Sequence, residues 1–236
     1  MSQITTLTFF SYDSFAAKAW AFGMMQFAHK PLSKVDGLQF YKLLGSGREK
    51  FNPLPDWSTY ALLQVWDDET SADTFFKQHS LVSRFRKKTN EQFTLFMKSI
   101  KAHGEWSGKN PFQKSKDLDD NNTALAVITR ATIKPSYLIK FWKYVPISQR
   151  PIENSDGLLY TKGIGEVPVI QMATFSIWKD KVSLMNFAYN SKEHKEAIAK
   201  TRALNWYSEE LFSRFQPYKS IGQWQGRTWF DDGVNP

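Results

Sequence analysis

The chain has 236 residues, of which 42% are apolar, 23% charged and 16% aromatic, the balance of a globular protein with a filled core rather than a disordered chain. A formal charge of +8 favours anionic partners, but the densest basic cluster, RFRKK at 84–88, reads as the solvated face of a helix, and no basic stripe with interleaved aromatics points to nucleic acid. With no cysteine, disulfides, iron–sulfur clusters, thiolate ligands and a Cys nucleophile are excluded.

In chain order, TTLTFFSYD (5–13) predicts a strand. SFAAKAWAFGMMQFAHKPL (14–32) predicts a helix, with Phe15, Ala19, Phe22 and Gln26 on one face and Pro31 as its stop. GLQFYKLLGSG (37–47) reads as a strand ending in glycines, FNPLPDWST (51–59) as a loop and YALLQVW (60–66) as a strand. Residues 69–97 have helical character, and KSIKAHGEW (98–106) reads as a closing strand. The polar stretch 107–122, SGKNPFQKSKDLDDNN, reads as a linker.

The same order then recurs. TALAVITRATI (123–133) is a strand, KPSYLIKFWKYVP (134–146) a helix, and GLLYTKGIG (157–165) and IQMATFSIW (170–178) are strands. Residues 181–215 read as helical and KSIGQW (219–224) as the closing strand. GLLYTKGIG repeats GLQFYKLLG with Gly, Leu, Lys and Gly in register, and Trp66 precedes Phe75 by the same interval as Trp178 precedes Phe187. A βαββαβ order in each copy is the ferredoxin-like arrangement, whose sheet is covered by helices on one face only. Two copies bury their open faces against each other. The expected fold is therefore α+β: two tandem ferredoxin-like repeats, 1–106 and 123–236 joined by 107–122, closing an intrachain dimeric α/β barrel with helices outside.

The segments WAFGMMQFAHKPL, FYKLLGSG, TRATIKP, FWKYVP, KGIGEVP, TFSIW and WYSEELFSRF, in that order, resemble the bacterial spheroidene monooxygenase family, carotenoid ketolases acting on acyclic carotenoids. The resemblance implies a haem b cofactor (iron protoporphyrin IX), O₂ as co-substrate and oxygenation of a polyene, with electrons from a ferredoxin-like donor. It implies a C-terminal repeat that carries the haem.

Without Cys, the protein ligand to a haem iron is His, Tyr, Met or Lys. His194 falls on one helical stripe with Phe187 and Ile198, which places it toward the sheet, and related haem-binding barrels carry their proximal His on the corresponding helix. The alternative is a helix-edge His among Lys192, Glu193 and Lys195. His79, four residues after Phe75, is the second candidate. His103 reads as structural, and His29 as a cap at a helix end. Arg130 and Lys162 are basic residues on strands that would serve haem propionates, or else pair with acidic neighbours such as Glu166. Lys42 and Lys162 are equivalent in the repeat, so a scaffold role competes with a site role. Trp178 joins the candidate cofactor site, while Trp142, Trp206 and Tyr207 would line a groove for a long apolar substrate. Each of these aromatics is also a candidate for plain core packing.

GSG (45–47) and GIG (163–165) open no helix with a following Lys-Ser or Lys-Thr, so they are not phosphate loops, and neither HExxH nor GxSxG occurs. No residue is singled out as a catalytic acid, base or nucleophile. The expected function is a haem-dependent monooxygenase giving hydroxy and keto products. A non-catalytic haem carrier or sensor and a cofactor-free oxygenase are the alternatives. The start of the sequence lacks a secretory signal and no stretch is long and apolar enough for a membrane span. The expected location is the cytoplasm, with peripheral contact on an anionic membrane surface through the basic charge.

Overall fold

The computed structural model describes residues 2–48, 52–143, 152, 155–190, 204–228 and 230. Its elements are β1 (Ile4–Ser11), α1 (Phe15–Phe27), α2 (His29–Leu32), β2 (Leu38–Arg48), β3 (Asn52–Trp66), α3 (Glu69–Gln78), α4 (Ser80–Arg86) and β4 (Glu91–Gly104). They continue with β5 (Leu125–Ile133), a 3₁₀ turn at Pro135–Tyr137 leading into α5 (138–143), β6 (Leu158–Val167), β7 (Gln171–Trp178), α6 (Lys181–Asn190) and β8 (Tyr207–Gly222). The strands close one antiparallel barrel in the order β1-β3-β2-β6-β7-β5-β8-β4. Each half thus has the ferredoxin-like order, β4-β1-β3-β2 and β8-β5-β7-β6, as the duplicated sequence predicts.

Alternation along each strand sends one set of side chains into the barrel and the other toward the helices. Leu7, Phe9, Leu63, Leu95, Phe175 and Phe215 fill the barrel. Ile4, Phe10, Leu62, Trp66 and Phe96 face outward, under Ala21 and Met24 of α1, Phe75 of α3 and Phe85 of α4.

The repeated phrase has a local cause. Gly37 and Gly157 both take positive φ, 75° and 77°, and a Cβ on either would stand 2.4 Å from Ser71 Oγ or 2.2 Å from Ser183 Oγ. Those serines open the helix after the third strand of each copy: Ser71 N–H donates to Asp68 at 2.8 Å and Ser183 N–H to Asp180 at 2.8 Å. The tryptophan before each helix packs on its phenylalanine, with ring centroids 5.2 Å apart for Trp66–Phe75 and 5.3 Å for Trp178–Phe187.

Four segments differ from the sequence reading. Residues 52–59 of the expected loop form the first part of β3. Its prolines are accommodated because β2 and β3 shift register between Gly45 and Arg48, so the ladder there is irregular. The helical reading of 69–97 ends at Arg86, and 91–97 are strand. Likewise 207–215 are strand, not helix. Leu211, Ser213 and Phe215 are buried in alternation with exposed Glu210 and Phe212, and β8 is held on both sides by β4 and β5. Of the expected helix 14–32, α1 ends at Phe27 and Pro31 lies within α2 rather than stopping it; Phe15, Ala19, Phe22 and Gln26 do share one face, which is the outward one, and Ala17, Ala21 and Met24 face the sheet.

Residues 107–122 lie against the barrel. Phe112 is buried edge-on to Phe215 at 4.9 Å, and Asp119 N–H donates to Gln216 Oε1 at 2.8 Å.

Gly37→Ala and Gly157→Ala should each lower stability by roughly 1–3 kcal/mol, since the backbone region is costly for any side chain. Urea denaturation tests this, and losses below about 0.5 kcal/mol, the range of an ordinary surface substitution, would contradict the duplicated-turn account.

Candidate functional site

Two regions hold the residues singled out from the sequence, and one sheet separates them. The first is the barrel interior. Counting five residues from Ile4 and from Leu125, which pair equivalently with Trp66 and Trp178, gives Phe9 in one half and Arg130 in the other. Where the first copy lines the barrel with a ring, the second places a guanidinium with only 2% of its side chain accessible. Arg130 Nη1 donates to Glu209 Oε2, and Nη2 to Glu166 Oε2 at 3.4 Å. Glu166 also accepts from Lys42 Nζ at 2.5 Å and Trp106 Nε1 at 2.6 Å. Glu209 accepts from Gly108 N–H at 2.8 Å, and the guanidinium lies 5.6 Å from the Trp106 ring centroid.

Two cations and two carboxylates make this quartet neutral, which is what lets it sit inside a barrel. Burial pushes the Glu209 carboxyl up, but the Gly108 and Ser107 N–H groups and Arg130 outweigh it and hold its pKa below the ordinary value. Lys162, equivalent to Lys42, pairs with Asp56 at 3.0 Å. Burial works against the Asp56 carboxylate, and Lys162, Ser58 and Thr59 overcome it, so its pKa is also lowered. The two lysines are reciprocal: each crosses from its own repeat to a carboxylate of the other. Every charge here is ion-paired, although the buried Arg130 Nε, like that of Arg214, has no hydrogen-bond partner among the described residues; the pairing makes the cluster a brace for the barrel.

The second region is the outer face of the C-terminal sheet, beneath α6. Trp178 is buried there, stacked on Phe187 of α6, with Leu125, Val127 and Leu184 around it. A separate apolar cluster holds Ile133, Phe141 and Trp206, against which Trp142 and Tyr207 pack. Trp142 Nε1 donates to Val169 O at 3.0 Å.

Between the two clusters the described part of the sheet is exposed at Thr129 and Phe212. Thr129, on the central strand, is exposed, although its counterpart Thr8 is completely buried. Phe212 is 38% exposed. Arg214, half-buried, lies with its guanidinium 5.3 Å from the Phe212 ring centroid and its Nη2 4.0 Å from Met185 Sδ of α6. Its buried Nε has no hydrogen-bond partner among the described residues. In the N-terminal half the matching layer is one continuous cluster reaching from Ile4 through Leu62 to Phe96.

These positions sort the expected site residues. Trp178, Trp142, Trp206 and Tyr207 lie in the helix–sheet layer. Arg130 and Lys162 do not: the alternation of β5 and β6 turns them into the barrel, away from α6, where each is engaged in ion pairs. The grouping of Arg130 and Lys162 with Trp178 around one haem is corrected accordingly. His194 lies outside the described residues, as does Ile198; the stripe they were expected to continue does face the sheet at Phe187. His79 caps α4, its Nδ1 accepting from Leu81 N–H at 3.2 Å, and it stacks on Phe75; burial lowers its pKa. His29 does not close α1, which ends at the Ala28 N–H; it begins α2, with Nδ1 3.2 Å from Tyr41 Oη. His103 sits in β4 opposite Phe212. Among the described residues no group of three or more His, Asp or Glu could hold a metal ion. Arg214 was missed because reading 207–215 as helix hid which strand face it occupies.

The whole chain is similar to three curated proteins named spheroidene monooxygenase. The protein of Cereibacter sphaeroides is 35% identical over 95% of this chain and 70% of its own length. That of Rhodobacter capsulatus is 32% identical over 95% and 94%, and that of Rubrivivax gelatinosus 32% over 90% and 81%. The chain belongs to the spheroidene monooxygenase family. Its role is accordingly that of an oxygenase. No protein-family model matches it. Among solved structures, aldoxime dehydratase superposes with a TM-score of 0.62 at 9% identity, covering 93% of this chain and 83% of that one, a likeness of fold alone. A second aldoxime dehydratase, crystallised with butyraldoxime, gives 0.62 at 9% identity over 92% and 80%.

The lowered pKa values of Asp56 and Glu209 contribute stability that is present above the ordinary carboxylate values, 3.8 and 4.5, and lost as pH falls through the folded-state values. Acid titration of the urea midpoint should therefore steepen below about pH 4.5. Asp56→Asn should be less stable at neutral pH and show a shallower acid limb. An unchanged acid limb would contradict the role given to the Lys162–Asp56 bridge.

Proposed function

We propose that the chain is a haem-dependent monooxygenase that inserts oxygen into a long apolar substrate, such as an acyclic carotenoid, giving hydroxy and keto products. The observation that carries this reading is the outer face of the C-terminal sheet, where Thr129 is exposed and, among the described residues, the buried Nε of Arg214 has no hydrogen-bond partner. A planar macrocycle with two carboxylates needs both features: an apolar slot and a cation that still has donors to offer. The residues present fit the group. Bound there, haem would supply the iron at which O₂ is activated, with electrons from a ferredoxin-like donor.

The chain's own contributions are specific. Arg214 would bind a propionate and so help to hold the group. Trp178 stacked on Phe187 closes one end of the slot, while Phe141, Trp142 and Trp206 form the other. These aromatic ends would exclude water from the site. His194, which follows α6 in the sequence, would hold the iron. The brace inside the barrel holds the sheet on which the slot rests and contacts neither haem nor substrate in this reading.

Titrating the purified protein with haem tests the proposal. A Soret band should appear with wild type and be lost or shifted in His194→Ala. Arg214→Leu should weaken haem affinity by about tenfold, the worth of one charge-assisted hydrogen bond. The folded state of both variants is checked by circular dichroism. No band at any haem concentration would overturn the reading in favour of a cofactor-free oxygenase. Haem binding without oxygenation of any polyene would leave a carrier or sensor.

A further inference from the structure

Helix α1 is apolar on both sides. Its inner face of Ala17, Ala21 and Met24 packs on the sheet, yet Phe15 is 87% and Phe22 58% exposed on the outer one. Phe22 is not isolated. Its ring meets Trp57, itself 49% exposed, edge-on with centroids 5.3 Å apart. Leu54 on the same strand and Phe27 at the helix end are exposed as well. Aromatic rings held in mutual contact and left in water are the pattern of an interaction surface rather than of scattered surface apolar residues.

The charges around this patch say what it meets. From residue 14 to residue 35 the sequence contains no Asp or Glu, but it contains Lys18, Lys30 and Lys34. The RFRKK cluster is on the neighbouring helix: α4 packs on α1 through Trp20 and Phe85, 5.4 Å apart, and Arg84 Nη2 is 3.8 Å from Met24 Sδ on the inner face. Arg84, Arg86, Lys87 and Lys88 are all exposed, and none makes an ion pair among the described residues.

The geometry points to docking of this face on an anionic lipid bilayer, with the Phe15–Phe22–Trp57 rings entering the interface and the flanking Lys and Arg side chains meeting lipid phosphates. Aromatic side chains favour the headgroup boundary, and basic ones are drawn to anionic leaflets. An acidic protein partner would be matched by the cations alone and would leave the aromatic stripe unexplained. The inference deepens the proposed function, since a long apolar substrate dissolved in a bilayer has to be met at its surface. No helix among the described residues is long and apolar enough to cross a membrane, so this contact would be peripheral.

Co-sedimentation with vesicles of phosphatidylcholine containing one quarter phosphatidylglycerol tests it, using the full chain without haem or substrate. Wild type should sediment with these vesicles and poorly with phosphatidylcholine alone. Binding should weaken as salt rises from about 0.1 M to about 1 M, where screening shortens to roughly 3 Å. The triple variant Phe15→Ser, Phe22→Ser, Trp57→Ser should bind about tenfold more weakly or worse, as should Arg86→Gln, Lys87→Gln, Lys88→Gln. Thermal unfolding verifies that both remain folded. Absence of vesicle binding, or binding indifferent to both variants, would overturn the inference. So would an oligomer in solution that the aromatic variant converts to monomer, which would make the patch a contact between copies. Failure of the haem titration would leave the vesicle result standing, so the two readings fall separately.

Discussion

The seam between β2 and β6 is the constraint on which the architecture turns. Two curved sheets can shield each other's open face only if both edges meet, and the edges are unequal. β4 and β8 pair from Phe93–Gly222 to Gly104–Leu211. Among the described residues β2 and β6 pair at Gly45–Gly165 and Ser46–Ile164 alone. The backbones meet there at glycine, and a Cβ on Gly45 would stand 3.9 Å from Gly165 O. The ladder is short, so side chains carry the closure. Lys42 reaches Glu166 and Lys162 reaches Asp56, one bridge in each direction across the seam. The repeated Lys of the duplicated phrase is a staple used twice.

Duplication with divergence then explains the inequality of the halves. The first copy fills both of its layers: Phe9 packs inside the barrel and Thr8 is sealed beneath helices. The second replaces the interior ring by Arg130, whose charge must be matched by Glu166 and Glu209, and leaves Thr129 uncovered on the other face of the same strand. Neighbouring residues of β5 thus serve opposite purposes. The inner one locks the barrel, and the outer one lies on the floor of the candidate cofactor slot. A rigid sheet under an open slot is the arrangement that lets a site be held in fixed geometry while the helices above it differ between the copies.

The fold was legible because the repeat leaves invariant marks where backbone geometry allows little choice: Gly37 and Gly157 at positive φ, Trp66 and Trp178 before their helices. The errors have physical causes too. In 207–215, Leu211 and Phe215 satisfy helical spacing as well as strand alternation, and only pairing with β4 and β5 decides between them. In α1 the apolar stripe was visible, but periodicity does not say which of two apolar faces meets the sheet; the smaller side chains won the close approach. Arg130 was rightly marked as a cation that must be paired or reach a site. The choice between those outcomes depended on Glu209, a residue distant in sequence whose strand had been read as helix. The family resemblance was carried by strings spread along the whole chain, and identity over nine-tenths or more of its length bears it out.

The proposed oxygenase site is the outer face of the C-terminal sheet, not the barrel interior. A crystal structure of the protein reconstituted with haem tests it most directly. The account predicts the macrocycle against Thr129 and Phe212, with a carboxylate within hydrogen-bond reach of Arg214 and the Arg130–Glu166–Glu209 brace undisturbed. Haem inside the barrel against Arg130, or beneath α1 in the N-terminal half, would contradict it.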